Sequence, residues 1–370
     1  MGKSVVLIME IIERKGYLLA QKEKGRTVFG VFPAQYPKEI LWAMNAVPAE
    51  IWDPPVEVAG ANAHLQSYIC SVVRMGMELI LQGKCYFLDG FLFPHTCDSI
   101  QNMASVIYDY MGAKSPCYFF YHPKAPYSRG APEYYMAQLR NLTDLLEKQL
   151  SPMDHRALKE AIEASNHISG LLHQLYEKRA TAQIPGGNRE FYRVVRQVEY
   201  LLPEDLIPAL EKYLHKNQGK DPQNKIPVIL SGVLPNPPQL LDLLDELGVR
   251  IAHDDLLNGS RRLLGPPIDP PTDPFKAMRD QYFQMPPCST RSSPIEQRSD
   301  FLLQLIQKTG AKGVIFNIVK FCEPEWFDVP NLQTELKKHN IPSLVLDTEI
   351  NQGLSGQMTT RVEAFVEMIS

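Results

Sequence analysis

The sequence lacks the common signatures of nucleotide-binding and hydrolytic sites. None of the motifs GxxxxGKS/T, GxGxxG, GxSxG or HExxH occurs in its 370 residues, and the tripeptide Gly2-Lys3-Ser4 has no upstream glycine. The chain therefore shows no recognisable ATP site of its own.

A long hydrophobic run is also missing. The apolar stretch at residues 68–81 contains Arg74 and Glu78 and is shorter than the roughly 20 residues that a membrane-spanning helix needs. The N-terminal apolar patch includes Glu10 and no small-residue cleavage site follows it, while Val6 stands where a myristoylation signal has Ser or Thr. We therefore expect a cytoplasmic protein with no membrane partner.

Neither sign of charge dominates, because 38 Lys and Arg residues stand against 42 Asp and Glu residues, a net charge of −4. Such a chain is not expected to bind nucleic acid or anionic membranes in general. A ligand that bears phosphate groups would need a local basic pocket.

Cysteines are few and widely spaced. The six cysteines form no CxxC pair, which disfavours a zinc ribbon or a ferredoxin-type cluster site. In a reducing cytoplasm, metal binding or simple burial is favoured over disulfides.

The order of predicted strands and helices indicates an α/β protein. A chain of 370 residues exceeds what one core usually supports, so two domains are expected. Strands and helices alternate before residue 130 and again after residue 220, as in parallel sheets. We predict two similar domains with mostly parallel sheets flanked by helices, at residues 1–130 and 221–370, joined by a helical connecting segment at residues 131–220.

The two halves share a plan in which a buried strand is followed by a cysteine. YFLDGFLFPHTCD at residues 86–98 leads to Cys97, and GVIFNIVKFCEP at residues 313–324 leads to Cys322. Chemistry in open parallel sheets lies just past the carboxyl ends of the strands. We therefore expect Cys97 and Cys322 to share one site in the interdomain cleft.

The remaining cysteines have simpler interpretations from sequence alone. Cys85 opens a predicted strand and Cys117 lies within another, so both are interpreted as structural. Cys70 lies on a long predicted helix at residues 61–82, where a core position is the commoner role, and Cys288 in the MPPCSTRSS segment is left unassigned. Spacing alone leaves a shared three-cysteine site and separate buried thiols as open alternatives.

Several strings resemble the 2-hydroxyacyl-CoA dehydratase and benzoyl-CoA reductase family. They are SYIC ending at Cys70, DGFLFPHTCD around Cys97, KFCEP around Cys322, and the C-terminal DTEINQGLSGQMTTRVEAFVEM. The resemblance runs from about Thr27 onward. LQSYICSVVRMGMEL and DGFLFPHTCDSIQNM are most similar to the smaller substrate-binding subunit of ATP-dependent benzoyl-CoA reductase.

The resemblance implies a cofactor and a ligand set. Cys70, Cys97 and Cys322 would each give a thiolate to one 4Fe–4S cluster, and the fourth iron would be open or held by another group. Thiolates are soft ligands that suit iron–sulfur clusters. A double cluster, or a cluster-free scaffold subunit, remains an alternative.

The resemblance also implies partners and two reactions. A homologous paralogue subunit and an ATP-hydrolysing iron–sulfur activator would work with this chain on an acyl-CoA substrate, with ATP and Mg²⁺ bound only by the activator. A reductase would convert benzoyl-CoA to a dienoyl-CoA, whereas a dehydratase would form an enoyl-CoA through a ketyl radical. A homodimeric double-cluster reductase or electron-relay protein is a further alternative.

Two basic positions and one histidine are candidates for contact with substrate. Arg261 and Arg262 follow a strand that ends near Asp255 and could bind the phosphates of CoA, with a solvated arginine pair as the equal alternative. His95 stands two residues before Cys97 and could donate a proton, with a packed histidine as the equal alternative.

Overall fold

The computed structural model describes residues 12–111, 115–216, 219, 225–268, 273–350 and 352–370. Helix α1 spans Arg14–Glu23, so the first part of the helix predicted for residues 1–24 lies outside the described residues. Within the part of the chain that the structure describes, none of the helices combines the length and apolar composition needed to cross a membrane.

The first sheet has four parallel strands in the order β2-β1-β3-β4. Its strands are β1 (Thr27–Val31), β2 (Ala46–Glu50), β3 (Gly90–Pro94) and β4 (Cys117–Phe120). The helices between them are α2 (Lys38–Ala43), α3 (Ser71–Leu81) and α4 (Asp98–Ser105). Strands β2 and β3 are buried along their whole length, as expected for a parallel sheet covered on both faces.

A helical segment follows the first sheet, as the sequence predicts. Its members are α5 (Ala131–Glu147), α6 (His155–Ala180), α7 (Asn188–Val195) and α8 (Pro203–Lys216). The buried face of α6 recurs at helical spacing from Leu158 through Ile162 to Leu172 and contacts α2 and α8. The division of the chain at residues 130 and 220 stays a prediction.

The second sheet repeats the strand order of the first. Its strands are β5 (Ile226–Gly232), β6 (Val249–Leu256), β7 (Val314–Val319) and β8 (Ser343–Thr348). They are parallel in the order β6-β5-β7-β8, so each sheet places its first strand beside its second and third. Its helices are α9 (Pro238–Glu246), α10 (Ser260–Leu263), α11 (Pro274–Gln284), α12 (Ile295–Thr309), α13 (Glu323–Lys338) and α14 (Gly356–Ile369). The predicted α/β fold with two parallel sheets is confirmed.

The two sheets share one hydrophobic core. A single cluster contains Val28 and Phe93 of the first sheet and Leu230 and Val319 of the second. The packing of the two sheets is therefore fixed by apolar burial, which contributes about 25 cal/mol for each Å² removed from water.

The prediction of one long helix at residues 61–82 is wrong at its start, which affects the position of Cys70. A short 3₁₀ turn at Gly60–Ala63 is separated from α3, which begins only at Ser71. Leu65 and Ile69 are buried in the intervening segment, so the apolar pattern continues although the backbone is not helical. Cys70 is consequently the N-cap of α3, with extended backbone angles of −63° and 153°.

The strand predicted from Cys85 is also shorter than expected. Cys85 lies in a turn, and β3 begins at Gly90. The preceding Asp89 already contacts β1, because its carboxylate accepts a hydrogen bond from the Val28 amide at 2.9 Å.

A buried histidine packs beside the carboxyl end of β4. His122 is 3% exposed, and its Nδ1 lies 2.8 Å from the Tyr282 hydroxyl. Burial, with repulsion from Lys124 and Arg291, lowers the pKa of His122 to about 3. The imidazole is therefore neutral in the folded protein above that pH.

We predict that His122 destabilises the fold in acid. Below pH about 6.5 the unfolded chain binds a proton that folded His122 excludes, so the free energy of unfolding falls by roughly 1.4 kcal/mol per pH unit toward pH 3. The free energy of unfolding of His122→Phe, measured by urea denaturation between pH 6.5 and 4, should fall less steeply with decreasing pH than that of the wild type. The difference between the two slopes should correspond to about one proton. The exposed control His215→Gln should keep the wild-type slope. An unchanged slope in His122→Phe would contradict this account.

Candidate functional site

Three cysteines line one cavity of about 380 Å³ at the carboxyl ends of the strands. Cys97 follows the end of β3 at Pro94, and Cys322 follows the end of β7 at Val319. Cys70 reaches the same cavity from the turn before α3. The structure thus brings the three predicted ligands together.

Each of the three cysteines is the N-cap of a helix. Cys70 precedes α3, Cys97 precedes α4 and Cys322 precedes α13. A helix N-terminus has unpaired amide hydrogens and a partial positive charge, which favours an anion such as a thiolate. Three positive helix ends therefore point toward one cavity.

The backbone before Cys322 is in an unusual conformation. Phe321 has a φ of 63°, in the left-handed region that favours glycine. Such residues cost of order 1–3 kcal/mol and concentrate at functional sites. Phe321 also lines the cavity, and its conformation turns the chain from β7 to the start of α13.

The thiols are held in their neutral form by their surroundings. Burial raises the pKa of Cys70 to about 12, and the nearby Cys97 contributes to this increase. Burial also raises the pKa of Cys97 and of Cys322, and Cys70, Glu325 and Cys97 add to the shift at Cys322. Ionisation of one of these thiols would therefore make ionisation of its neighbours less favourable.

Backbone amides oppose this effect at all three sulfurs, and at Cys322 the amide is that of Glu325. The amides of Val72 and Val73 lower the pKa of Cys70, although no cap hydrogen bond is formed. The amides of Ser99 and Ile100 act in the same direction on Cys97. Amides near sulfur are among the features that tune the potential of a bound cluster.

The donor set fits a 4Fe–4S cluster better than a single metal ion. Among the described residues, no three His, Cys, Asp or Glu side chains converge closely enough to hold one ion. Three soft thiol ligands instead surround a cavity that is much larger than an ion. A group that presents several iron atoms to separated thiolates matches this arrangement.

The other cysteines lie elsewhere. Cys85 lines a separate apolar groove beside Phe87, and the sulfur of Cys117 on β4 lies 3.6 Å from the Ser115 carbonyl. Cys288 is fully buried, with its sulfur 3.2 Å from the Thr290 hydroxyl. The structural role predicted for Cys85 and Cys117 stays a prediction.

His95 lies beside the turn to Cys97 but is not among the residues that line the cavity. Its Nε2 is 3.5 Å from a carboxylate oxygen of Asp98. Burial, followed by repulsion from Lys124, lowers the pKa of His95. Its role as proton donor stays a prediction.

The two candidate arginines are paired with carboxylates below the surface. Arg261 is fully buried between Asp255 and Glu325, and Arg262 donates to Glu50 at 2.7 Å. The alternative of a solvated arginine pair is therefore wrong, because Arg261 is fully buried and the Arg262 side chain is only 7% exposed. Arg262 also lines a separate cavity, and its Nη2 has no hydrogen-bond partner among the described residues. The phosphate contact of the two arginines stays a prediction.

Arg261 connects the second sheet to the helix that begins after Cys322. Its Nε donates to Asp255 at the end of β6 at 2.7 Å, and its Nη2 donates to Glu325 in the first turn of α13 at 3.2 Å. Burial alone would lower the pKa of Arg261, but Asp255 and Glu325 raise it well above its usual value. Ser289 adds a hydrogen bond to Glu325 at 2.6 Å. This network fixes the start of α13 and therefore the position of Cys322.

Two groups of residues that line the cavity were not identified from the sequence. They are Lys124, which follows the end of β4, and the hydroxyl side chains at residues 289–293. The rule that chemistry follows strand ends could have found Lys124, because it stands four residues after Phe120 just as Cys97 stands shortly after β3.

We predict that Arg261→Met lowers the free energy of unfolding by about 3 kcal/mol, because it removes one of the two cations that balance two buried carboxylates. Arg298, 3.2 Å from Asp255 and 3.8 Å from Glu325, is the cation that remains. Urea denaturation of the full chain measures the change. The control Arg189→Met breaks an exposed ion pair with Asp242, with side chains 51% and 40% exposed, and should cost at most about 1 kcal/mol. Equal and small losses in the two variants would contradict the structural role of the network.

Comparison with known proteins supports a relationship along almost the whole chain. The chain is 24% identical over 351 residues to lactoyl-CoA dehydratase subunit beta of Anaerotignum propionicum, covering 94% of this chain and 93% of that protein. It is 25% identical over 374 residues to (R)-2-hydroxyglutaryl-CoA dehydratase subunit beta of Acidaminococcus fermentans, covering 96% of each. It is 24% identical over 358 residues to a subunit of the benzoyl-CoA reductase of Thauera aromatica, covering 94% of this chain and 92% of that protein.

A family model gives the same result. The model described as 2-hydroxyglutaryl-CoA dehydratase, D-component, matches residues 33–369, which include all three cavity cysteines. The resemblance found in the sequence is confirmed, and the relatives are subunits of dehydratases and of a reductase. The chain belongs to the 2-hydroxyglutaryl-CoA dehydratase D-component family.

Proposed function

We propose that this chain holds one 4Fe–4S cluster through Cys70, Cys97 and Cys322 and serves as the iron–sulfur subunit of an enzyme acting on an acyl-CoA. The observation that supports this proposal most is the meeting of three cysteines, each at a helix N-terminus, around one cavity. When bound, such a cluster supplies single electrons at low potential.

The chain's own residues create the environment for that chemistry. The starts of α3, α4 and α13 stabilise negative charge on the three thiolates. Strands β3 and β7 are buried throughout and keep water from the cavity on the side of the sheets. The hydroxyl of Ser293 lines the same cavity, accepts a hydrogen bond from the Cys288 amide at 2.9 Å and can donate its proton to an oxygen of a bound substrate.

Two reactions are candidates. The sequence strings around Cys70 and Cys97 favour a benzoyl-CoA reductase subunit, which would reduce an aromatic acyl-CoA to a dienoyl-CoA. The second candidate is a 2-hydroxyacyl-CoA dehydratase subunit, which the relatives from Anaerotignum propionicum and Acidaminococcus fermentans support through their names. The similar identities to the dehydratases and to the reductase do not separate the two.

We further propose that the chain works only in a complex. The relatives are named as subunits of larger enzymes, which supports a homologous partner subunit. The sequence contains no recognised nucleotide-binding motif, so an ATP-hydrolysing iron–sulfur activator would have to deliver the electron.

The ligand assignment predicts a sharp difference among cysteine variants. After anaerobic reconstitution, the wild-type chain should contain about four iron and four sulfide per chain, as one such cluster requires. Cys70→Ala, Cys97→Ala and Cys322→Ala should each lose most of this iron and the visible absorbance, because each removes one thiolate. Cys85→Ala and Cys117→Ala are matched controls and should keep both. The assignment fails if Cys97→Ala keeps a full cluster while a control loses it.

The heteromeric proposal predicts that the isolated chain is inactive. Turnover should require the partner subunit, the activator, MgATP and a strong reductant, and should be absent when any protein component is omitted. Benzoyl-CoA and several 2-hydroxyacyl-CoA esters are offered in parallel and the products identified by mass. Ring reduction assigns a reductase, and loss of water to an enoyl-CoA assigns a dehydratase. Full activity of the isolated chain without ATP would instead favour the homodimeric alternative.

A further inference from the structure

Lys124 brings a positive side chain to the wall of the cysteine cavity. Among the described residues that line this cavity, the acidic ones are Asp98, Glu323 and Asp328, and the basic one is Lys124. The three cysteines add further negative charge as soon as they ionise. Lys124 is therefore the side-chain cation that the chain itself places in this wall.

Hydrogen bonds hold the Lys124 segment in place. The Lys124 ammonium donates to the Thr96 carbonyl at 3.2 Å, next to Cys97. On one side of Lys124, the Pro123 carbonyl accepts from the Tyr282 hydroxyl at 2.6 Å. On the other side, the Ala125 amide donates to the Arg291 carbonyl at 2.8 Å. The segment is thus anchored to residues that precede α12, and the ammonium is oriented before any ligand binds.

The charge of Lys124 reaches its neighbours. Burial, followed by repulsion from the Lys124 ammonium, lowers the pKa of His122. A cation in the wall of the cavity also acts on a charged group bound there.

We propose that Lys124 is a positioning residue that provides the counter-charge for the group held by the three cysteines and raises its reduction potential. The inference rests on the proposed function. Reduction adds one negative charge to the bound group, and a cation held in the wall of the cavity stabilises that added charge. The three acidic side chains in the same wall act in the opposite direction.

Redox titration of reconstituted variants tests this proposal. The full chain and the variants Lys124→Met, Lys124→Gln and Lys124→Arg are loaded anaerobically with iron and sulfide, and reduction by dithionite is followed by electron paramagnetic resonance at set potentials. Lys212→Met removes the same charge from an exposed position on α8 and is the matched control. Iron content is measured for each sample.

At the wild-type midpoint, the ratio of reduced to oxidised cluster should fall about tenfold in Lys124→Met and Lys124→Gln, which corresponds to about 59 mV for one electron. Lys124→Arg should stay near wild type, and Lys212→Met should not change. Loss of the cluster in Lys124→Met and Lys124→Gln, with retention in Lys124→Arg, would support the same role for the charge.

Two results would overturn the proposal. One is an unchanged midpoint in Lys124→Met and Lys124→Gln at normal iron content. The other is loss of the cluster in all three Lys124 variants including Lys124→Arg, which would show that the shape of lysine matters and not its charge. Failure of the wild-type chain itself to assemble a cluster would refute the proposed function, and it is distinguished by the iron content before any titration.

Discussion

The arrangement of the site depends on one constraint, the cost of placing three ionised sulfurs together away from water. A buried charge is tolerated only when it is paired or bound to metal. Burial raises the pKa of all three thiols, and repulsion from a neighbouring cysteine adds to the increase at Cys70 and Cys322. Three helix N-termini and the Lys124 ammonium reduce that cost without removing it. The remaining positive charge would have to come from the group that the thiolates bind.

The two parallel sheets make this convergence possible. Each sheet has the same strand order, and in each the third strand ends a few residues before a cavity cysteine. A shared apolar core fixes one sheet against the other. The buried ion pairs of Arg261 then attach the start of α13 to β6. The position of Cys322 therefore depends on interactions that extend well beyond the cavity.

The sequence predicted the parts of the fold that follow from local pattern. Buried strands followed by a cysteine were recognisable at Cys97 and Cys322, because apolar runs and the strand-end rule are local signals. The start of α3 was not predictable, because Leu65 and Ile69 are buried at helical spacing in a segment that is not helical. Tertiary packing, not periodicity, decides the backbone there.

The environment of Arg261 was beyond sequence reasoning for a different reason. Its partner Glu325 is 64 residues away, and no local pattern indicates that the two side chains meet. A pair of adjacent arginines near a strand end is equally typical of a phosphate site and of a solvated surface. Only the three-dimensional structure shows that Arg261 and Arg262 turn inward to separate carboxylates.

The most direct test of the central claim is iron-edge anomalous X-ray diffraction from crystals of the anaerobically reconstituted chain. The account predicts one compact group of iron positions in the cavity, with the sulfurs of Cys70, Cys97 and Cys322 as its protein ligands. Iron bound at Cys85, Cys117 or Cys288 instead, or a cavity in which the three sulfurs bind no iron at full reconstitution, would contradict it.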